Sequence, residues 1–266
     1  MLGKIMIHEF KSTYRIFVPI YIGLALLISA GCLFIQLLKH YDSTPLTIIS
    51  GFGIILLVFG IIFVFISPYI FLSMRFYKTT ATREAYLTFT IPAETHQILL
   101  GKFIVSFAWT LVTLILTYFS IAILVAAGGA NIKDMFDFIF NGDTKLMLIQ
   151  ILSFTISFAL SILQIFTAIS LGQLVRDHRI IASLAFYAAL YTAQQIISIV
   201  AILPFMMTEM SKDMSAGMET FNMSLDTQTG GLPIHIYLLS IILSVVLSVV
   251  FFFLSNYILK KKLNLL

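Results

Sequence analysis

Charged side chains are scarce in this chain of 266 residues, since Asp, Glu, Lys and Arg together make up 11% of it. Soluble globular domains are usually about 25% charged. The hydrophobic fraction is 60% and the mean hydropathy is +1.04. This composition excludes an ordinary soluble globular domain and predicts an integral membrane protein.

Several motifs of catalysis are also absent from the sequence. A single cysteine, Cys32, excludes an intrachain disulfide and cannot by itself make a metal site. Neither an HExxH metal motif nor a pair of carboxylates within an apolar run is present, which argues against an intramembrane protease. No Gly-x4-Gly-Lys-Ser/Thr loop occurs, so no P-loop for ATP is predicted. We therefore expect no enzymatic activity and no cofactor in this chain alone.

Long apolar runs dominate what is present. Six of them reach the ~20 helical residues that are needed to cross a ~30 Å hydrocarbon core. The predicted spans are residues 16–38, 46–72, 103–127, 146–174, 180–205 and 236–259. No Asp, Glu, Lys or Arg lies within them. The sequence therefore predicts an all-α, polytopic protein with a single transmembrane domain of six helices.

The distribution of Lys and Arg predicts the orientation. With both termini in the cytoplasm, 12 of the 16 basic residues lie inside and the other four outside, as the positive-inside rule requires. The basic balance therefore indicates topology and contact with anionic membrane lipids, and no nucleic acid is expected. Residues 1–15 place Ile5, Ile7 and Phe10 beside Lys4, Glu9 and Lys11, which predicts an amphipathic elbow helix along the inner interface.

Charges return in the stretch RFYKTTATREAYLTFTIPAETHQILLGK, residues 75–102. Pro68 is expected to kink the second span before it ends near residue 72. The threonines that follow favour caps and turns, and we predict a short surface helix carrying Arg83 and Glu84. Pro92 is placed at the first position of the next helix and Glu94 in its first turn, where the helix dipole favours an acid. A short helix, a reversal and a re-entry helix are thus predicted on the cytoplasmic side.

The sequence REAYLTFTIPAETHQILLGK, the amphipathic start and the six spans together resemble an ABC-2 type permease subunit of an ATP-binding-cassette exporter. The resemblance covers the whole chain in architecture and about twenty residues in motif. Within that family, the size and the short outer loops are similar to permeases of Gram-positive peptide exporters, such as the phenol-soluble-modulin exporter permease and those for bacteriocin-type peptides. The family resemblance implies a separate cytoplasmic ABC ATPase subunit that binds ATP and Mg.

The resemblance also implies where that ATPase subunit binds. Residues 79–86 would form the coupling helix, and the loop between the fourth and fifth spans would be a second contact. The alternative for both is a solvated loop whose charges only set topology. The residues implied in coupling are Thr79, Thr80, Thr82, Arg83, Glu84, Tyr86, Arg176, Asp177, His178 and Arg179.

Residues on the spans give a candidate dimer seam and a candidate substrate path. Ala185, Ala189 and Ala193 form a small-residue stripe that lets helices approach closely. Family resemblance places the stripe at a seam with a second permease copy or a paralogue, and the alternative is packing within one chain. The candidate path residues are Phe59, Phe63, Gln164, Gln194 and Gln195. The alternatives for these are amides that tie helices together and rings that face lipid.

The last outer region, residues 206–235, carries Met206, Met210, Met214 and Met218 at a spacing of four. On a helix these make one soft, adaptable face, and we predict a re-entrant or interfacial helix at residues 209–218 that caps an exit. The alternative is a Cu(I) site, because thioethers bind that ion.

The function expected from these features is an ATP-driven permease in a bacterial cytoplasmic membrane that exports amphipathic peptides or hydrophobic compounds. One alternative is a permease of the same build that gives resistance or self-immunity to antimicrobial compounds. The other is a six-span membrane scaffold that transports nothing.

Overall fold

The computed structural model describes residues 2–40, 44–81, 94–129, 131, 144–175, 178–216 and 234–261. Within them lie six α-helices and no strand: α1 (Leu2–His40), α2 (Thr44–Ala81), α3 (Thr95–Gly128), α4 (Thr144–Gly172), α5 (Arg179–Ala216) and α6 (Ile234–Lys261). All six are long and apolar enough to cross a membrane. The prediction of an all-α protein with six candidate spans is confirmed.

The predicted boundary between an elbow helix and the first span is absent. The 39 residues of α1 form one helix, which at 1.5 Å per residue is about 58 Å long. The helix continues through Arg15 because one buried face, Glu9, Thr13 and Phe17, repeats every four residues across that boundary. Residues 2–15 are therefore the first turns of α1, and the expected separate element is corrected.

The second helix also extends past its predicted end. It passes through Pro68 and ends at Ala81, not near residue 72. Pro68 has no N–H to donate to the carbonyl of Val64. The hydroxyl of Ser67 donates to that carbonyl instead, at 2.8 Å, inside a buried environment. This bond shows how the helix tolerates a proline in its interior.

The chain forms two compact units, and the first comprises Met1–Asp137 with Leu259–Leu266. In this first unit α1 contacts α3 most extensively and also packs against α2. Its core is formed by Phe17, Leu72, Val105 and Trp109, with the rings of Phe17 and Trp109 stacked at a centroid distance of 4.6 Å.

The second unit comprises Phe138–Ile258, in which α4 packs extensively against α5 and buries apolar residues such as Leu163 and Phe166. Along α4 and α6, three polar contacts occur in the same chain order, which makes the two helices parallel. They join Gln150 Nε2 to Tyr237 Oη (3.1 Å), Thr167 Oγ1 to the Phe251 carbonyl (3.0 Å) and Ser170 Oγ to Ser255 Oγ (3.1 Å).

The fifth helix is the least covered of the second unit. Gly172, at the end of α4, lies directly against Ser183 of α5, so a Cβ at Gly172 would come within 2.8 Å of the Ser183 backbone. No residue of the most apolar 18-residue stretch of α5 is buried. One end of α5 is therefore closely packed, whereas most of its length is exposed in the single chain.

Candidate functional site

A buried group of three charges joins α1, α2 and α3 in the first unit. The Glu9 carboxylate accepts hydrogen bonds from Arg75 Nε at 2.6 Å and from Lys102 Nζ at 2.5 Å. The exposed fractions of the three side chains are 11% for Glu9, 21% for Arg75 and 6% for Lys102. We call these residues the Glu9 triad.

Two cations share one carboxylate in the Glu9 triad, so the surrounding hydroxyl groups complete their hydrogen bonding. Lys102 Nζ also donates to Thr79 Oγ1 at 2.9 Å, and Arg75 also donates to Ser12 Oγ. A buried ion pair becomes costly when one partner is lost, because the remaining charge is left without compensation. The triad therefore stabilises the contact among the three helices, because separating them would leave a buried charge without its partner.

A chain of hydrogen bonds and stacked rings extends from the Glu9 triad along α1 and α3. Thr13 Oγ1 donates to the Glu9 carbonyl at 2.9 Å and accepts from Trp109 Nε1 at 2.8 Å. The Trp109 ring stacks on Phe10 and Phe17. One turn further on, Tyr21 Oη lies 2.8 Å from Thr113 Oγ1. The indole N–H of Trp109 and the phenol hydroxyl of Tyr21 thus have hydrogen-bond partners inside an apolar core.

Buried hydroxyl residues continue this line on α3, at the spacing of one helix face. They are Ser106, Thr110, Thr113, Thr117 and Ser120. The hydroxyls of the last four donate to carbonyls three or four residues earlier in the same helix. These groups are small and internally satisfied, so they suit close helix packing more than ligand binding.

Sequence reasoning did not find the Glu9 triad, although one signal was available. Glu9 is the only acid among the first 41 residues, in a segment with four basic residues. The residues that it binds lie 66 and 93 positions away along the chain. The sequence places Arg75 and Lys102 at the two ends of the charged stretch between the second and third spans, whereas in the structure both charges are bound to Glu9 of α1.

The predicted coupling helix does not begin at Thr79. Thr79 and Thr80 belong to the last turn of α2, and both hydroxyls donate to carbonyls of that helix. Thr80 is 2% exposed, and Thr79 accepts from Lys102. The other four predicted residues of this segment, Thr82, Arg83, Glu84 and Tyr86, lie outside the described residues.

The start of the helix after this segment also differs from the prediction. The helix begins at Thr95, and Glu94 is its N-cap residue with extended backbone angles. The expectation that Pro92 holds the first helical position, with Glu94 in the first turn, is therefore wrong. Glu94 Oε2 lies 3.0 Å from His96 Nδ1 on the surface, and its side chain makes no capping hydrogen bond.

Of the predicted second contact with an ATPase, two residues are described. His178 is exposed and adopts a left-handed φ of 56°, and its carbonyl accepts from the Ala182 N–H at 3.0 Å. Arg179 is the first residue of α5. Arg176 and Asp177 lie outside the described residues.

The residues proposed for a substrate path differ in exposure. Phe59 and Phe63 are 68% and 59% exposed on α2. Gln164 of α4 is 2% exposed, and its Nε2 has no hydrogen-bond partner among the residues that the structure describes. Gln194 of α5 buries an Oε1 that also has no partner in the described part of the chain, whereas Gln195 is exposed. Two of the three amides thus keep an unused hydrogen-bonding group inside the second unit.

The proposed dimer seam is accessible in the single chain. Ala185, Ala189 and Ala193 are all exposed and lie four residues apart along α5. The methionine face lies partly on the same helix, because α5 runs past Pro204 to Ala216 and includes Met206, Met210 and Met214. The expected helix at 209–218 is thus continuous with the fifth span as far as Ala216, and Met218 lies outside the described residues.

Among the described residues, no group of three His, Cys, Asp or Glu side chains is placed to hold a metal ion. Comparison of the chain with protein-family models, curated proteins and solved structures finds no match. The class of protein that the structure defines is a multi-pass membrane protein with six helices capable of spanning the bilayer.

Proposed function

We propose that this chain is the transmembrane permease subunit of an ATP-driven exporter of the ABC-2 type. It moves amphipathic peptides or hydrophobic compounds outward across a bacterial cytoplasmic membrane, with both of its termini in the cytoplasm. A separate cytoplasmic subunit binds ATP and Mg and supplies the energy. Two permease subunits, identical or paralogous, complete the transporter.

The observation that carries the proposal is the Glu9 triad and its place beside the segment that resembles a coupling helix. Arg75 and Thr79 lie in the last two turns of α2, directly before residues 82–93. Lys102 lies two turns into α3, directly after them. A displacement of the intervening segment would therefore act on two helix ends that are tied to each other and to α1. Contiguous hydrogen-bonded and packed elements of this kind are able to transmit force between sites.

The exposed alanine stripe of α5 supports the second part of the proposal, a pair of permease subunits. In a bilayer, helices associate through close packing of small residues, and such a stripe gains little from contact with lipid tails. In a Cys32→Ser background, single cysteines at Ala185, Ala189 and Ala193 are expected to form disulfides between two copies. If none of these positions cross-links while cysteines on another helix do, α5 is not the seam.

The unpartnered amides support the nature of the cargo. Buried polar groups are normally hydrogen-bonded, so an unused donor at Gln164 and an unused acceptor at Gln194 call for a partner, which these enclosed atoms reach only when the helices around them move apart. A peptide backbone supplies both kinds of group. Uncharged amides bind such a backbone without the strong attraction that would hold it in place.

The test asks whether this chain, purified from its own membrane, brings down a cassette ATPase. The Arg83→Glu, Glu84→Arg double variant should insert normally but lose most of the bound ATPase, because the charges of the predicted contact are exchanged. The matched control exchanges another adjacent pair, Lys212→Asp with Asp213→Lys, and should retain the ATPase. If the wild-type chain brings down no ATPase, the alternative of a non-transporting scaffold takes its place.

A further inference from the structure

The first four turns of α1 present three different faces. The buried face carries Glu9 and Thr13 and points into the first unit. An exposed apolar face carries Ile7, Phe10 and Tyr14, which are 70%, 46% and 52% exposed. Beyond it, exposed basic side chains recur at intervals of four, three and four, and therefore share one face. This basic face consists of Lys4, His8, Lys11 and Arg15.

The permanent cations of the basic face are not neutralised by the part of the chain that the structure describes. Lys4, Lys11 and Arg15 make no ion pair with any residue that the structure describes. Glu9 is the nearest acid along the sequence, but its carboxylate is turned to the opposite side and bound to Arg75 and Lys102. The basic face thus exposes three positive charges on the surface of the helix.

A groove of about 420 Å³ runs beside this basic face. Its walls come from α1 and α3 within the first unit, and Lys11 is the only charged side chain among them. The lining residues are Met6, Ile7, Phe10, Lys11 and Tyr14 of α1, with Ile104, Val105 and Ala108 of α3. The groove volume lies in the range of ligand sites, about 300–1,000 Å³.

We propose that this groove binds one anionic glycerophospholipid. An acyl chain lies in the apolar groove against Phe10 and Ala108. The headgroup phosphate is bound by Lys11 at the rim, with Lys4 and Arg15 one to two turns away on the same face. Lysine and arginine near a membrane surface attract anionic lipids, and their aliphatic stems lie along apolar surface while the charge reaches the headgroup.

Charge complementarity favours this occupant over a second copy of the chain. A second copy would bring the same three cations to the contact, and like charges repel. A neutral lipid would fill the apolar groove but leave the basic face without counter-charge. The proposal does not depend on the transport function, because it needs only that α1 lies in a membrane containing anionic lipid.

The test uses the full chain in nanodiscs of phosphatidylcholine and phosphatidylglycerol in equal parts. Lipid retained after transfer to detergent is measured by native mass spectrometry. We expect one phosphatidylglycerol molecule to be retained in preference to phosphatidylcholine. In the Lys4→Gln, Lys11→Gln, Arg15→Gln variant, this preference should fall by about 10- to 100-fold, since each cation contributes separately.

The matched control removes three cations from the C-terminal end of the sequence, by Lys260→Gln, Lys261→Gln and Lys262→Gln. It should keep the wild-type preference. An equal loss in both variants would mean that only total charge matters, and an unchanged preference in the α1 variant would exclude its cations from the site. Either result overturns the proposal, as does a wild-type chain with no preference between the two lipids.

A second variant tests the groove without changing charge. Ala108→Phe fills the groove and should reduce the retained phosphatidylglycerol, whereas Val112→Phe, one turn further along α3 and not among the lining residues, should not. Glycerol 3-phosphate, which has the headgroup charge but no acyl chain, should not displace the lipid. Displacement by that compound, or full retention in Ala108→Phe, would show that the groove is not used.

Discussion

The two units of the chain are stabilised in different ways. In the first unit, one carboxylate binds two cations, an indole stacks on two phenyl rings, and four buried hydroxyls of α3 donate to carbonyls of their own helix. In the second unit, hydroxyl contacts join α4 to α6, and α5 exposes most of its length. Gln164, Gln194 and Asn256 also bury an amide atom that has no hydrogen-bond partner within the described ranges of the chain.

This difference indicates which part of the molecule is complete in a single chain. Charges and aromatic rings buried with their partners make the first unit self-sufficient, and removing one partner should be costly. Exposed small residues and unused amides make the second unit the part that gains from further contacts. In the proposed function those contacts come from a second permease subunit and from cargo.

The largest effect is expected at the Glu9 triad. Glu9→Gln removes the only carboxylate and leaves two buried cations together, so the free energy of unfolding should fall by about 3–5 kcal/mol. Unfolding of the purified chain in mixed micelles measures this change. Glu94→Gln is the matched control, because its carboxylate is 73% exposed and should change the free energy by no more than about 0.5 kcal/mol. Equal stabilities of the two variants would contradict a structural role for the triad.

A smaller effect is expected in the second unit at Gly172. Gly172→Ala places a methyl group against the Ser183 backbone, which cannot move as a side chain can. Overpacking of this kind costs about 1–3 kcal/mol. The control Gly51→Ala adds a methyl group where no atom lies within 4 Å, and should raise stability by about 0.5–1 kcal/mol, because alanine favours a helix. If both substitutions stabilise the protein, α4 and α5 are not in close contact.

The smallest effect tests one hydrogen bond of the first unit. Tyr21→Phe removes the bond to Thr113 and keeps the ring in its place beside Phe17 and Trp109. Hydrogen bonds between helices in membrane proteins contribute about 0.6 kcal/mol on average. The exposed Tyr14→Phe should cost less than that. A loss of several kcal/mol in Tyr21→Phe would mean that the polar line acts as one cooperative network.

The positions of the helices could be predicted from the sequence, whereas their ends and partners could not. Apolar runs long enough to cross a bilayer are a local property, which is why all six spans were found. The predicted end of α2 differs from the observed one because side-chain contacts stabilise the helix beyond residue 72. Ser67, within α2, replaces the bond that Pro68 cannot make, and Thr79, near the end of α2, accepts a hydrogen bond from Lys102 of α3.

The candidate site shows the same limit more strongly. The Glu9 triad depends on three residues from three helices, and composition or spacing along the chain cannot pair them. Resemblance to a family directed attention to residues 79–94, yet the residues that tie this region to α1 lie on either side of it. The sequence likewise shows that glutamines occur in the apolar runs, but it does not predict which of their amide atoms lack a hydrogen-bond partner.

The measurement that tests the central claim most directly is transport into inverted membrane vesicles containing this chain and its ATPase. A fluorescent cationic amphipathic peptide is added outside, with and without ATP. We predict ATP-dependent accumulation of the peptide, abolished by Arg83→Glu with Glu84→Arg and retained in the Lys212→Asp, Asp213→Lys control. Accumulation that does not require ATP, or that is the same in the Arg83–Glu84 exchange, would contradict an exporter driven through the segment between α2 and α3.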